Sequence, residues 1–234
     1  MGKLEDTPGA FTGTIGNLIY YRRYDMKGIF VRKKGGISKK RINSDPQFAR
    51  TRENNTEFSG CIRASGIIRN AIYPVCRLAD YNFTPGLRSL MRKIQVQSDK
   101  EARGQRSIFI SKHRHLLENF QLNRNQPFMS VLRHPLTVTF NRERSTAHID
   151  VPALVPEVNL FLPWQSPYYR VVLVLAAIPD QVYDGQNFMT TPDIRGIQCE
   201  SLPWQLASQP AEEQTITLQL PKKTIPASTL IVSA

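Results

Sequence analysis

The sequence predicts an α+β protein with an N-terminal β-hairpin arm, a basic helical middle and a C-terminal antiparallel β-sandwich of immunoglobulin-like texture. Three observations lead to this fold class. β-Branched and aromatic runs flank a glycine turn near the start, a helical apolar period follows, and strand-like runs without intervening helices occupy the C-terminal part. The predicted parts are the hairpin arm and basic linker at 1–43, the basic helical region at 44–125 and the β-sandwich domain at 126–234.

The N-terminal hairpin is predicted from two runs rich in β-branched and aromatic residues, Asn17–Arg23 and Ile29–Lys34. Between them, Asp25 early and Gly28 late favour a type I turn closed by a left-handed glycine. Neither face of the alternating strands is cleanly polar, so we expect the hairpin to pack on another surface. The apolar residues of this candidate assembly arm are Leu18, Ile19, Tyr20, Tyr21, Ile29, Phe30 and Val31.

A basic linker and a long helix are predicted next. Residues 33–41 combine glycines with basic side chains and are predicted to be exposed. The tripeptide Ser44-Asp45-Pro46 is typical of a helix start, because a capping side chain precedes a proline in the first turn. We expect the helix to continue to about Ile72. Its predicted buried side carries Phe58, Cys61, Ile62, Ser65, Ile68 and Ile72, with Arg52 and Arg63 on the opposite side.

Two glycines in this helix, Gly60 and Gly66, are predicted to mark close approach by another element. A second helix is predicted from Thr84-Pro85, with an apolar stripe that includes Leu87 and Met91. Residues 98–107 are rich in charged residues and are predicted to form a mobile basic loop.

The C-terminal part has the pattern of an all-β region. Residues 136–154 alternate around a turn near Arg142, as a hairpin does, and residues 168–180 contain a continuous apolar run that predicts a buried strand. Residues 214–221 and 228–234 predict two more strands. Several strands without intervening helices favour an antiparallel sandwich.

The N-terminal motif carries a resemblance to a known family. The pattern GxxGNLxYYR at 13–22, followed by a basic turn and by DPQFARTRENNTEF at 45–58, resembles an uncharacterised Bacteroidota protein family. The match is strongest over 13–72. The resemblance implies a glycine-rich basic N-terminus, a β-rich C-terminal half and a chain that continues past Ala234. It implies no catalytic residues.

The positive charge is unevenly distributed along the chain. Residues 1–125 contain 24 Lys and Arg against 10 Asp and Glu, whereas residues 126–234 contain 7 against 9. This asymmetry predicts an acidic partner for the first half, either DNA or RNA or the C-terminal half of a neighbouring copy. The candidate residues for binding this partner are Arg22, Arg23, Lys27, Arg32, Lys33, Lys34, Lys39, Lys40, Arg41, Arg52 and Arg63.

Several other classes of function find no support in the sequence. The glycines at 13 and 16 precede a strand rather than a helix, so they predict a turn and no phosphate-binding loop. His113 and His115, predicted to point the same way from a strand, have no third ligand at metal spacing. The three cysteines lack the spacing of a zinc site and suit a reducing cytoplasm. No run approaches the ~20 apolar residues that cross a bilayer.

These observations favour a non-enzymatic cytoplasmic structural protein without cofactor or metal. It is expected to self-assemble into a homo-oligomer or filament through its N-terminal arm, around an acidic polymer or without one. The alternative is a nucleic-acid-binding accessory protein, such as one of a mobile element, that holds phosphates electrostatically and without sequence preference. A two-stranded ribbon with basic and aromatic side chains fits either hypothesis.

Overall fold

The computed structural model of the chain describes residues 2–4, 11–24, 26–191, 197–221 and 228–233. Contacts between residues divide the chain into two compact units, unit 1 (Met1–Arg52) and unit 2 (Glu53–Ala234). Helices and antiparallel sheets both contribute, so the prediction of an α+β protein is confirmed.

Unit 1 contains a four-stranded antiparallel sheet with the strand order β1-β4-β3-β2. The predicted hairpin is confirmed, because Tyr21 on its first strand pairs with Phe30 on its second. The two outer strands were not predicted, since each has only three residues and carries little periodic signal. The strands are β1 (Gly2–Leu4), β2 (Gly13–Ile15), β3 (Leu18–Arg22) and β4 (Ile29–Lys33).

Two glycines with positive φ close the turns of this sheet. Gly16 has a φ of +54° in the two-residue turn between β2 and β3, where a side chain would be disfavoured. Gly28 has a φ of +108° just before β4, as predicted for the residue that closes the turn. The other predicted turn residue, Asp25, lies outside the described residues.

The predicted linker is exposed throughout 33–41, but part of it is helical. The helix α1 (Lys39–Ser44) begins where the Ser38 side chain accepts a hydrogen bond from the Arg41 N–H at 3.2 Å. The predicted start at Asp45 is confirmed as a second cap, because its Oδ1 accepts from the Gln47 N–H at 3.0 Å. This cap opens a short 3-10 turn that leads into the long helix.

Three further helices follow along the chain, and the two longer ones were predicted. They are α2 (Ala49–Ala71), α3 (Tyr73–Cys76) and α4 (Thr84–Val96). On α4 the predicted stripe is confirmed, because Leu87 and Met91 are buried.

The predicted buried side of α2 is partly wrong. Phe58 and Ile62 are exposed, whereas Glu57, Gly60 and Ala64 are buried. The buried face of α2 is composed largely of small or polar residues. Apolar periodicity therefore placed the centre of this face about one residue too far toward the C-terminus. Close packing of the helix against its neighbours selected the small residues instead.

The C-terminal strands form three antiparallel sheets, with the orders β12-β6-β5, β10-β8-β13 and β11-β7, and β9 also pairs with β8. The predicted hairpin at 136–154 and the predicted strands near 168–180, 214–221 and 228–234 are confirmed. After the short helix α5 (Phe128–Val131), the strands are β5 (Thr137–Asn141), β6 (Thr146–Val151), β7 (Tyr168–Tyr169), β8 (Val172–Tyr183), β9 (Phe188–Thr191), β10 (Ile197–Ser201), β11 (Gln205–Leu206), β12 (Gln214–Gln219) and β13 (Ser228–Ser233).

Strand β8 contributes to two hydrophobic cores of unit 2. Val174, Ala176 and Ile178 belong to the helix-side core, together with buried residues of α2 and α4. The alternate residues, such as Leu173 and Leu175, belong to the sheet-side core together with buried residues of β6 and β12. Side chains alternate across a strand, so both faces of β8 are covered, which explains its nearly uninterrupted apolar sequence.

Candidate functional site

One face of the unit 1 sheet combines arginines with aromatic rings. Tyr21 and Phe30 pair across β3 and β4, with ring centroids 5.9 Å apart. The guanidinium of Arg23 lies 5.8 Å from the Phe30 centroid, and that of Arg32 lies 5.7 Å from the Tyr21 centroid. These are cation–π distances. We call these four residues the cationic face. Arg23 and Arg32 are exposed and suit phosphate contact, whereas Phe30 is buried and Tyr21 is half-buried, so Phe30 cannot stack on a base.

The opposite face combines exposed apolar side chains with two exposed cations, Arg22 and Lys33, which the strand register places on the same side as Leu18 and Tyr20. Phe11 packs on Tyr20 with ring centroids 4.9 Å apart, and Ile15 pairs with Leu18 across β2 and β3. Phe11, Ile15 and Leu18 are 44%, 56% and 40% exposed. We call Phe11, Ile15, Leu18 and Tyr20 the apolar face. Exposed apolar side chains that lie side by side are typical of surfaces that bind another protein.

The predicted basic residues are exposed on unit 1, with one exception. Arg52 is half-buried, and its Nη1 donates to the carbonyl oxygens of Ile42 at 2.7 Å and Asp45 at 2.9 Å. It therefore stabilises the connection between α1 and α2 instead of facing a partner. Arg63 is also exposed, but it lies in unit 2 on α2, so the structure does not group it with the others.

The four lysines at the end of β4 and in the linker after it differ from Arg41 in their partners. Arg41 forms an ion pair with Asp45 at 3.1 Å and lies 5.9 Å from the ring centroid of Phe48. Lys33, Lys34, Lys39 and Lys40 make no ion pair with any residue in the described ranges. Their charge is available to an acidic partner, so they carry the best candidate phosphate contacts.

The predicted assembly-arm residues divide by burial. Ile29 and Phe30 are buried, with 1% and 5% of their surface exposed, so they stabilise the sheet itself. Ile19, Tyr20, Tyr21 and Val31 are half-buried, and Leu18 is exposed. Only part of the predicted arm surface is therefore accessible to a neighbour.

A buried charge cluster in unit 2 was not predicted. Glu57 on α2 is fully buried, and its carboxylate accepts hydrogen bonds from Nε and Nη2 of Arg106 at 2.6 and 3.2 Å. The backbone N–H of Gly104 donates to Oε1 at 2.9 Å, and Nη1 of Arg92 donates to Oε2. Gln95 on α4 accepts from the same Arg92 nitrogen at 2.9 Å.

The electrostatics of this cluster keep Glu57 ionised. Burial alone raises the pKa of Glu57, but the hydrogen bonds from Arg106, Gly104 and Arg92 outweigh it and lower the pKa below its ordinary value. A carboxylate that stays ionised and fully buried cannot serve as a general acid at neutral pH. The cluster therefore joins α2, α4 and the segment after α4.

Residues 98–107 contain no helix or strand, as predicted for a loop, but hydrogen bonds anchor the segment to the rest of unit 2. Gly104 and Ser107 are buried, and the Ser107 Oγ–H donates to Glu101 Oε1 at 2.7 Å. The same Oγ accepts from the N–H of Tyr183 on β8 at 3.1 Å, which attaches the segment to the sheet. Its polar composition is typical of a loop, but its partners are distant in sequence and could not be identified from local patterns.

The histidines and cysteines do not form a metal site in the part of the chain that the structure describes. His113 lies between two short 3-10 turns and His115 lies in the second, with ring centroids 6.2 Å apart, so the prediction that they project from a strand is wrong. The three cysteines are unpaired: Cys61 is buried, Cys76 half-buried and Cys199 exposed.

None of the helices in the described ranges is both long enough and apolar enough to span a membrane. Comparisons with protein-family models, with curated proteins and with solved structures gave no match.

Proposed function

We propose that the protein is a non-enzymatic, cytoplasmic structural protein that self-assembles into homo-oligomers or filaments, with unit 1 as the arm that contacts a neighbouring copy. The observation that carries the proposal is the exposed apolar face, where Phe11, Ile15 and Leu18 lie side by side. Such side chains gain free energy when a partner covers them, at about 25 cal/mol per Å² of buried apolar surface.

The edge of the unit 1 sheet supports the same proposal. Strand β2 lies at the end of the order β1-β4-β3-β2, so its outer side pairs with no described strand. An edge strand with exposed apolar side chains can accept or donate a strand by β-augmentation. Strand β5, at the end of the order β12-β6-β5, offers a second edge and an exposed Phe140.

Charge supports a head-to-tail contact between copies. Unit 1 contains 12 Lys and Arg against 4 Asp and Glu, whereas residues 126–234 contain 7 against 9. A contact between unlike surfaces either closes into a ring or continues as a filament. Opposite charges would orient such a contact and accelerate its formation.

We also propose that the C-terminal sheets pack against each other as a β-sandwich. This is supported by the sheet-side core, in which Leu173 and Leu175 of β8 join Ile149 of β6 and Leu218 of β12. The immunoglobulin-like texture and membership of the Bacteroidota family both stay predictions.

Light scattering of the full chain in ~0.15 M salt, before and after nuclease treatment, tests the assembly proposal. We expect a mass well above that of one chain, unchanged by nuclease. The variant Ile15→Thr with Leu18→Thr should lower this mass, because threonine keeps the strand propensity but removes most of the apolar surface.

A matched control substitutes two exposed apolar strand residues of unit 2, Met189→Thr with Ile197→Thr. It should leave the mass unchanged. A monomeric wild type in both conditions would refute the proposal, as would equal loss of mass in both variants.

The second candidate function is nucleic-acid binding, and the cationic face favours it. Two arginines lie on aromatic rings there, and Lys33, Lys34, Lys39 and Lys40 lie beyond it in the sequence. A mass that falls to that of one or two chains after nuclease treatment would favour this function over protein–protein assembly.

Fluorescence anisotropy with single-stranded and duplex DNA over a range of salt concentrations tests the second function directly. Lys39→Gln with Lys40→Gln should weaken binding and reduce the slope of log K against log salt by about 1.4 for single strands. The control Lys93→Gln with Lys100→Gln removes equal charge from exposed sites in unit 2. Equal slopes for the two variants would show that the α1 lysines contact no phosphate.

A further inference from the structure

A half-open apolar groove in unit 2 is bordered by two strands that lie at sheet edges. Its lining includes Val138 and Phe140 of β5 and Leu230 of β13. Strand β5 ends the order β12-β6-β5 and β13 ends the order β10-β8-β13, so the outer side of each pairs with no described strand. An unpaired edge presents backbone N–H and C=O groups that a further strand can satisfy. The groove therefore has the borders of a site for an extended chain.

A side-chain contact joins the two edges at one end. Arg142 directly follows β5, and its Nη1 and Nη2 both donate to the carbonyl oxygen of Ser228, the first residue of β13, at 3.0 Å. Arg142 itself lines the groove. The end of β5 therefore lies close to the start of β13, and the two open edges border the same groove.

The groove reaches the sheet-side core of unit 2. Five residues of its lining belong to this core or pack against it, namely Val138, Leu132, Leu154, Leu160 and Leu230. Phe140 is 45% exposed, although its partner in the register, Ala147 of β6, is fully buried. The inner face of β5 is thus only partly covered, and the apolar side chains of an added strand would extend the core. The volume of about 1030 Å³ is far larger than the voids left by packing in protein interiors.

Strand β2 of unit 1 has the side chains that such a groove requires. Phe11 and Ile15 belong to the apolar face and are exposed, and residues 11–21 contain no charged side chain. The two cations on the same side, Arg22 and Lys33, lie on β3 and β4 and not on β2. The other edge strand of this sheet, β1, contains Lys3. The charged residues of the groove are mainly basic, since they are Arg114, Arg142 and Arg170 against Glu118. An uncharged strand therefore fits the groove better than a basic one.

We propose that β2 of one copy pairs with the open edge of β5 in a neighbouring copy, with the apolar face of unit 1 over the groove. This inference rests on the proposed self-assembly and names the surface that accepts the arm. It is a β-augmentation, in which backbone hydrogen bonds hold the strand and alternate side chains fill the groove.

The sequences of the two strands select an antiparallel register. When Ile15 lies opposite Val138, Gly13 lies opposite Phe140, and all four residues are on the groove side. The glycine has no side chain there, so the ring of Phe140 has room above the backbone of β2. Shifting the register by one residue would turn the apolar side chains of β2 away from the groove.

The same register places Thr14 opposite Thr139 on the other side of the joined sheet. Both residues are exposed in the single chain. Directly opposite residues in an antiparallel pair have Cα atoms about 4.5–5.5 Å apart, which lies within the range that a disulfide spans. A cysteine at each position would therefore report the contact between copies.

Disulfide cross-linking of two mixed full-length variants tests the pairing. One variant carries Thr14→Cys and the other Thr139→Cys, both with Cys199→Ser to remove the exposed thiol. We expect mild oxidation to give a dimer that peptide mass analysis shows to be linked between positions 14 and 139. The matched control mixes Thr14→Cys with Thr215→Cys, an exposed threonine on β12 at the opposite end of the β12-β6-β5 order, and should give no such link.

The inference fails if the two mixtures cross-link equally or if neither does. It also fails if positions 14 and 139 link only within a chain that carries both cysteines, because the arm would then occupy the groove of its own chain. The cross-linked positions are exposed threonines, so these variants should fold as the wild type does.

Light scattering separates this failure from failure of the self-assembly proposal. Val138→Thr with Phe140→Thr should lower the assembled mass as Ile15→Thr with Leu18→Thr does, because each pair removes one side of the contact. If only the arm variant lowers the mass, self-assembly stands and the groove is not its acceptor. A monomeric wild type would overturn both.

Discussion

Arg106 and Glu57 form a bidentate ion pair that joins residues 49 positions apart, with Nε donating to Oε1 at 2.6 Å and Nη2 to Oε2 at 3.2 Å. Glu57 is fully buried, and the Arg106 side chain is 15% exposed. Such a pair need not add stability relative to an apolar pair of the same shape, but breaking it leaves a buried charge without its main partner.

The first prediction concerns this pair. Arg106→Gln should lower the free energy of unfolding by about 3 kcal/mol, at the lower end of the range for buried pairs, because Arg92 and the Gly104 N–H still contact the carboxylate. Urea unfolding of the wild type and the variant at neutral pH measures the difference.

Arg103→Gln is the control for this prediction. Arg103 lies in the same segment, is 46% exposed and is 3.7 Å from Glu53. We expect a cost of about 1 kcal/mol or less for an exposed pair. If both substitutions cost the same, Glu57 does not depend on Arg106.

The second prediction concerns acid stability. Because the pKa of Glu57 is lower in the folded protein than its ordinary value of 4.5, its contribution is fully present above that value. The contribution is lost as the pH falls through the folded pKa. Unfolding measured from about pH 7 to about pH 3 should show the wild type losing its advantage over Glu57→Gln toward acid. A constant difference would mean that Glu57 has the same pKa in both states.

The third prediction concerns the two glycines of α2. A Cβ at Gly60 would lie 2.7 Å from the ring of Phe188, a buried side chain packed against Tyr183, whereas a Cβ at Gly66 would meet nothing within 4 Å. The predicted close approach is therefore confirmed for Gly60 and wrong for Gly66.

Gly60→Ala should accordingly destabilise the protein by about 1–3 kcal/mol, because the ring has to move. Gly66→Ala should stabilise it by up to about 1 kcal/mol through helix propensity. Thermal unfolding of both variants checks the opposite signs, and a stabilising Gly60→Ala would show that Phe188 is free to move.

The fourth prediction concerns thiol reactivity. Burial raises the pKa of Cys61 to about 11 and also raises the pKa of Cys76, whereas Cys199 is exposed. Iodoacetamide at about pH 8 should label Cys199 first, since the thiolate is the reactive form. Peptide mass analysis over time gives the order, and early labelling of Cys61 would indicate that unit 2 opens locally.

Local sequence patterns were enough to predict the α+β class, the hairpin from β3 to β4, the two long helices and the main C-terminal strands. These features depend on local patterns, such as the glycine at 28 or the cap at Asp45, which neighbouring residues along the chain suffice to specify. The exposure of the basic linker was predictable for the same reason, since long runs of charge are rarely buried.

Contacts between residues far apart in the sequence appeared only in the folded structure. Tertiary packing leaves Phe58 exposed beside the buried face of α2, and hydrogen bonds to Glu57 hold residues 98–107 in place. The pairing of strands in unit 1 separates a cationic face from an apolar face. Each outcome depends on packing and hydrogen bonds between residues far apart in sequence, and no periodicity within a single element encodes such partners.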